Sequence, residues 1–241
     1  MLPGYNYSEI YCLFKKYANK IKYVDYKNII KGIYGLLIKR KLIINGLNSG
    51  EIIEKTINEA LNNKGIYNIK QIKMPVVVPS VDLNTGKIYC FSSKEVRRKV
   101  SNEIVYINDM NPGQAVRASC SYPIIFSPYT YNKAILIDGG LRENIPWKET
   151  KKIGAEKVIS VIFEKELGDK CCDNILEVVN NSLDILMAEL SDYEIEGADC
   201  LLEIKAGGIG LLDMKKIDKL YELGYKTAKR NMGKILKLIK E

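Results

Sequence analysis

The stretch AILIDGGLREN, residues 134–144, opens with alternating aliphatic side chains, as a half-buried β-strand does, and then runs a single carboxylate, Asp138, into two glycines. Two readings compete for that acid. Asp-Gly is a common signal for reversing the chain, so Asp138 could be a turn residue. In open α/β sheets, however, functional groups gather where strands end and loops begin, and Asp138 stands at such a place. The rest of the chain has to decide between them.

The chain has 241 residues, 46% of them hydrophobic, enough for one sizeable domain with a genuine core. It contains no histidine. That excludes a Ser-His-Asp or Cys-His mechanism and any histidine-bearing metal site built from this chain alone. Proton transfer near neutral pH then falls to carboxylates, Lys, Tyr or Cys. Six cysteines with no C-x-x-C pair argue against zinc and against a disulfide frame, and point to reduced thiols in the cytoplasm. No metal or cofactor is expected. The net charge of +8 is compatible with an anionic partner, but the accompanying wealth of Ile, Asn and Tyr, which share A/T-rich codons with Lys, weakens that signal. No apolar run reaches the ~18 residues of a membrane span, and the N-terminal MLPGYNYSEI has no signal-peptide pattern.

Along the chain, residues 8–31 have helical spacing (Ile10, Phe14, Tyr17, Ile21), followed by a second helical run over 27–40 and a short β-like KLII at 41–44. Asn48 and Glu51 are spaced as a capping box. Strands are predicted at 74–80 and 87–91, joined by the turn DLNTG, and at 103–107. Asn111-Pro112 opens a small-residue helix that Pro123 closes off. After the strand at 134–138 come a helix near 147–153, a strand at 157–163 and a helix from Asp173 lining up Ile175, Val179, Leu183, Leu186 and Leu190. A strand at 200–206 and a long helix from Asp213 complete the chain. Strand–helix alternation with aliphatic strands predicts a single α/β domain over residues 1–241 with a mainly parallel sheet.

ASCSYPIIFSP at 118–128 followed by ILIDGGLRENIPW at 135–147 resembles the C-terminal signature of the patatin-like phospholipases. The matching features are Ala118, Ser119, Ser121, Pro123, Phe126, Pro128, Asp138, Gly139, Gly140, Asn144 and Pro146. PSVDLNTGKIYCFSS is similar, less closely, to the family's Asp-x-x-Thr-Gly hairpin. The resemblance implies a three-layer patatin-like fold and a lipid ester substrate, cleaved by a Ser-Asp dyad that uses no histidine. It assigns Asp138 as the general base and Asp138-Gly139-Gly140 as the family's DG[AG] motif. Glycines after the acid make physical sense, since side chains there would crowd the nucleophile.

The family's nucleophile lies upstream in Gly-x-Ser-x-Gly, after a glycine-rich loop that supplies the oxyanion hole. No serine here has glycine both two before and two after; GLNSG (46–50) has the letters but the wrong spacing, and AGGIG (206–210) falls after the last strand. The expectation is therefore an N-terminally truncated domain lacking its first βαβ unit and carrying half of the dyad. Ser119 and Ser121 read as packed small residues rather than substitute nucleophiles. Cys171-Cys172 read as helix N-terminal thiols. Lys39-Arg40-Lys41 mark a possible peripheral contact with the anionic inner face of the membrane. Two alternatives stand beside the hydrolase: a non-catalytic relative that binds lipid or a partner protein, and a basic nucleic-acid-binding module. No nucleic-acid motif accompanies the cationic C-terminal helix, so no nucleic acid is expected as partner.

Overall fold

The computed structural model describes residues 4–18, 30, 34, 37, 38, 45–96, 102–164, 172–207, 209 and 213–240. Helix α1 (Tyr7–Ala18) and α2 (Glu51–Asn62) precede strands β1 (Val77–Asp82), β2 (Ile88–Ser92) and β3 (Ile104–Ile107). Then follow α3 (Pro112–Ser119), β4 (Tyr129–Tyr131), β5 (Ala134–Asp138), α4 (Trp147–Lys152) and β6 (Ile159–Phe163). Helix α5 (Ile175–Ile195), β7 (Cys200–Ile204), α6 (Ile217–Arg230) and α7 (Met232–Lys240) complete the order. The second helical run and KLII, Lys39-Arg40-Lys41 and Cys171 lie outside the described residues, as does most of the segment that was to extend α1.

Five strands form the central sheet in the order β3-β2-β1-β5-β4, and β6 and β7 form a separate parallel pair. The α/β class holds, but the central sheet is mixed rather than mainly parallel. Only β2–β3 is parallel in it; β1–β2, β1–β5 and β4–β5 are antiparallel. Local turns cause two of the three antiparallel pairings. DLNTG reverses the chain at Gly86, whose φ is 71° and whose N–H donates to the Asp82 carbonyl at 2.7 Å. Asn132, at φ 53°, makes the two-residue turn that pairs Tyr131 with Ala134. Hairpins so tight can only be antiparallel.

Helices cover both faces. On one, Ala115 and Ala118 of α3 are fully buried against Phe91 and Leu136. Asn111 caps α3 by accepting the N–H groups of Gly113 and Gln114, as its Asn-Pro pair predicted. A Cβ at Gly113 would stand 2.5 Å from the Glu54 carbonyl oxygen, so glycine lets α3 lie directly on α2. On the other face, Tyr106 of β3 donates to the fully buried Glu149 of α4, which also pairs with Lys152 at 2.7 Å. The Asn48–Glu51 capping box does not form. Gly50, in the left-handed region at φ 70°, is the N-cap of α2, and the Asn48 side chain accepts the Gly50 N–H instead. A capping box does form at Asn68 and Gln71, around a 3-10 turn at Ile69–Gln71.

Two apolar rows do not face the core as their periodicity suggests. Phe14 of α1 is exposed, and along α5 so are Ile175, Val179 and Leu186. Only Ser191 of α5 is buried. The helix is held where Leu183 and Met187 pack on Tyr122, Ile125 and Phe126, and by polar groups: Tyr122 donates to Asp184, Asn144 to Ser191, and the Ile145 N–H to Glu194. Those contacts fix its rotation and leave much of the aliphatic row outward.

Candidate active site

Ala134, Leu136 and Asp138 alternate onto one face of β5. Ala134 and Leu136 pack beneath α3, so Asp138 extends the row past that helix's C-terminal end. There the backbone N–H of Asp138 donates to the Ser121 carbonyl at 3.1 Å. The Asp138 carboxylate accepts the Gly140 N–H at 2.8 Å on Oδ1 and so caps the 3-10 turn Gly139–Leu141. Burial pushes its pKa above the usual carboxylate value, the Gly140 bond opposing. A half-buried carboxylate of raised pKa is a better base than a solvated one. Its field, added to burial, helps hold the Cys120 thiol at about 11, so that sulfur is protonated at neutral pH.

The two glycines have separate reasons. A Cβ at Gly139 would stand 2.4 Å from the Pro79 carbonyl oxygen, a backbone atom that cannot yield. A Cβ at Gly140 would stand 3.1 Å from Asp138 Oδ1 and 2.9 Å from Met187 Cε. The turn reading of Asp138 is satisfied by one carboxylate oxygen, and the other is unengaged by any hydrogen bond among the described residues.

The serines single out differently. Ser121 is fully buried, with Oγ accepting from Arg117 at 2.6 Å and donating to the Arg117 carbonyl at 3.0 Å, so it is structural. Ser119 closes α3 half-buried. Ser80 carried no sequence signal. It pairs directly with Asp138 across β1–β5, on the same sheet face, and its Oγ is fully buried with no hydrogen-bond partner. No side chain among the described residues donates to Asp138.

Arg117 also escaped the sequence reading, because a basic residue in a short helix suggests a solvated face. It is 3% exposed. Its guanidinium donates to Ser121 Oγ and to the carbonyls of Ser49 and Ser127, all neutral oxygens. Those bonds tie α3, the 46–50 loop and the turn at 121–127 into one unit. Ile124 in that turn has φ 71°, a costly conformation for a β-branched residue. It is held by the N–H groups of Leu47 and Asn48, which donate to the Ile124 and Ile125 carbonyls at 2.9 Å each.

Beyond Asp138, the loop buries Glu143 with Oε2 unpartnered, and burial, reinforced by Glu194, raises its pKa to about 7. Asp82, in the hairpin that resembled a family motif, accepts from Thr85 Oγ1 at 2.6 Å and from the Ile135 N–H at 3.0 Å. Burial pushes its carboxyl up, but those bonds outweigh it and leave the pKa lowered. That acid knots the hairpin to β5. No group of three His, Cys, Asp or Glu side chains among the described residues could hold a metal ion. No helix among them is long and apolar enough to cross a membrane.

The family model for patatin-like phospholipase matches residues 12–151, more than half of the chain and the part that contains Asp138 and its two glycines. The chain belongs to the patatin-like phospholipase family. A lysophospholipase NTE1 from the yeast Meyerozyma guilliermondii is 46% identical over 46 residues, which is 19% of this chain and 3% of that protein. The chain therefore spans a small fraction of that curated relative. The family that this model describes is one of phospholipases.

Proposed function

We propose that this patatin-like chain supplies the base of a Ser-Asp dyad in a cytoplasmic lipid acyl hydrolase, with Asp138 in that role. The observation that carries the reading is the Asp138 carboxylate: half-buried, raised in pKa, and bonded through only one oxygen. Its free oxygen takes the proton of an attacking serine as the serine Oγ adds to a lipid ester carbonyl, and passes it to the departing alcohol. Water then attacks the acyl-serine, giving its proton to Asp138, which returns it to the serine Oγ as the acyl–Oγ bond breaks and the fatty acid leaves. The serine comes from a Gly-x-Ser-x-Gly elbow outside residues 1–241, in a βαβ unit that completes the domain. The separate β6–β7 pair supports this, since Ile159, Val161 and Phe163 stay exposed along β6.

The chain by itself then turns over p-nitrophenyl butyrate no faster than background. Joined to a segment carrying the elbow, it becomes an esterase, and Asp138→Asn lowers turnover on the order of a thousandfold with substrate binding retained. Near-normal turnover in that variant would leave Asp138 a turn residue only. The unfilled partner position on Asp138 also favours a second reading, a non-catalytic relative that binds lipid or a partner protein. Persistent inactivity of the joined chain, with lipid still bound, would select it.

A further inference from the structure

Neither of the last two helices buries a residue, but they differ in what holds them. Helix α6 rests on β7, where a Cβ at Gly224 would meet Ile204 Cδ1 at 3.7 Å. Its first turn is tied to α1: the Tyr11 and Tyr221 rings lie 4.4 Å apart, and Asp218 accepts from the Tyr11 hydroxyl at 2.5 Å and pairs with Lys15 at 3.0 Å. Helix α7 has no buried residue. Ile235 and Leu238 are half-covered, whereas Met232, Leu236 and Ile239 are 44%, 49% and 69% exposed. Those three fall four and three residues apart, on one helical face.

Charge decides what can cover that face. From residue 224 to 241 the cations are Lys226, Lys229, Arg230, Lys234, Lys237 and Lys240 against one acidic side chain, Glu241, with Lys226 paired to Glu222 at 2.5 Å. A second copy of the chain would set like charges together. Nucleic acid would use the cations but leave the apolar row in water. An anionic bilayer surface uses both, the apolar side chains entering the headgroup–acyl boundary and the lysines meeting lipid phosphates and carboxylates. We propose that α7 is a membrane-contact helix that lies flat in an anionic lipid surface through Met232, Leu236 and Ile239, with Lys234, Lys237 and Lys240 reaching the headgroups. The proposal does not depend on Asp138 being catalytic.

The test is flotation of the full chain with phosphatidylcholine vesicles, with and without phosphatidylserine. Binding is expected only with phosphatidylserine and weakens as salt is raised. Each basic residue near such a surface contributes about fivefold in affinity, so replacing Lys234, Lys237 and Lys240 together by Gln costs on the order of a hundredfold. Leu236→Gln with Ile239→Gln weakens binding about tenfold or more while leaving its salt dependence. Both variants keep the parent's circular dichroism and thermal transition, because the replaced side chains are solvent-facing. Failure of the chain to bind phosphatidylserine vesicles, equal binding to neutral vesicles, or unchanged binding by the lysine variant overturns the proposal. So does tighter binding to duplex DNA than to vesicles, or a dimer that Leu236→Gln dissociates.

Discussion

The two halves of this molecule bury their side chains to different depths. Around β1–β5, Cys90, Phe91, Ala115, Ala118 and Leu136 have no exposed surface at all. Past residue 174, α5 buries one residue, a serine, and α6 and α7 bury none. The match to the patatin-like family ends at residue 151, close to where the packing thins. Asp138 stands in the densely packed half, where the base we propose would find the rigid neighbours it needs. The later elements make looser contacts and leave aliphatic faces outward, as surfaces do when they meet something else.

That contrast can be broken or sharpened by measurement. The largest effect belongs to Leu136→Ala, which opens a void beneath α3 and costs about 2–5 kcal/mol of unfolding free energy in urea. A value below ~1 kcal/mol would show that the sheet face is not tightly packed.

Next comes pH. Burial raises the Glu143 carboxyl from 4.5 to about 7, so the folded chain holds a proton that the unfolded chain releases earlier. The associated stability is complete below about pH 4.5 and is lost as pH rises through about 7, a fall of order 3 kcal/mol. Glu143→Gln removes that part of the slope, and the difference between the two chains' midpoints against pH reads it. Parallel slopes would mean that Glu143 is solvated.

The smallest effect is Leu186→Ala on the outward row of α5. Its 66% exposure leaves little to lose, and unfolding free energy changes by no more than about 0.5 kcal/mol. A loss as large as that of Leu136→Ala would show that the outward row is covered in solution.

Strand and helix positions near the site were legible because they rest on local rules. The strand at 134–138 falls where its alternation places it, and α3 begins at Pro112 behind the Asn111 cap. Periodicity failed for α5 because a helix's rotation is set by what it touches. Polar contacts at Asp184, Ser191 and Glu194 act beside the packing of Leu183 and Met187, and only that part of the aliphatic stripe turns inward. The capping box at Asn48 failed similarly: its backbone pairs with Ile125 and Ser127 across the chain, and its side chain serves the Gly50 turn.

By itself, the sequence determined that this chain brings no histidine to any chemistry and that Asp138 ends a strand and leads into glycines. These follow from residue identity and short-range spacing. Only the tertiary structure decided that the sheet is mixed, that Ser121 is spent on Arg117, and that Ser80 sits opposite Asp138 with an unpartnered hydroxyl. Ser80 and Asp138 are far apart along the chain. Strand register makes them neighbours, and register is fixed by which face is buried.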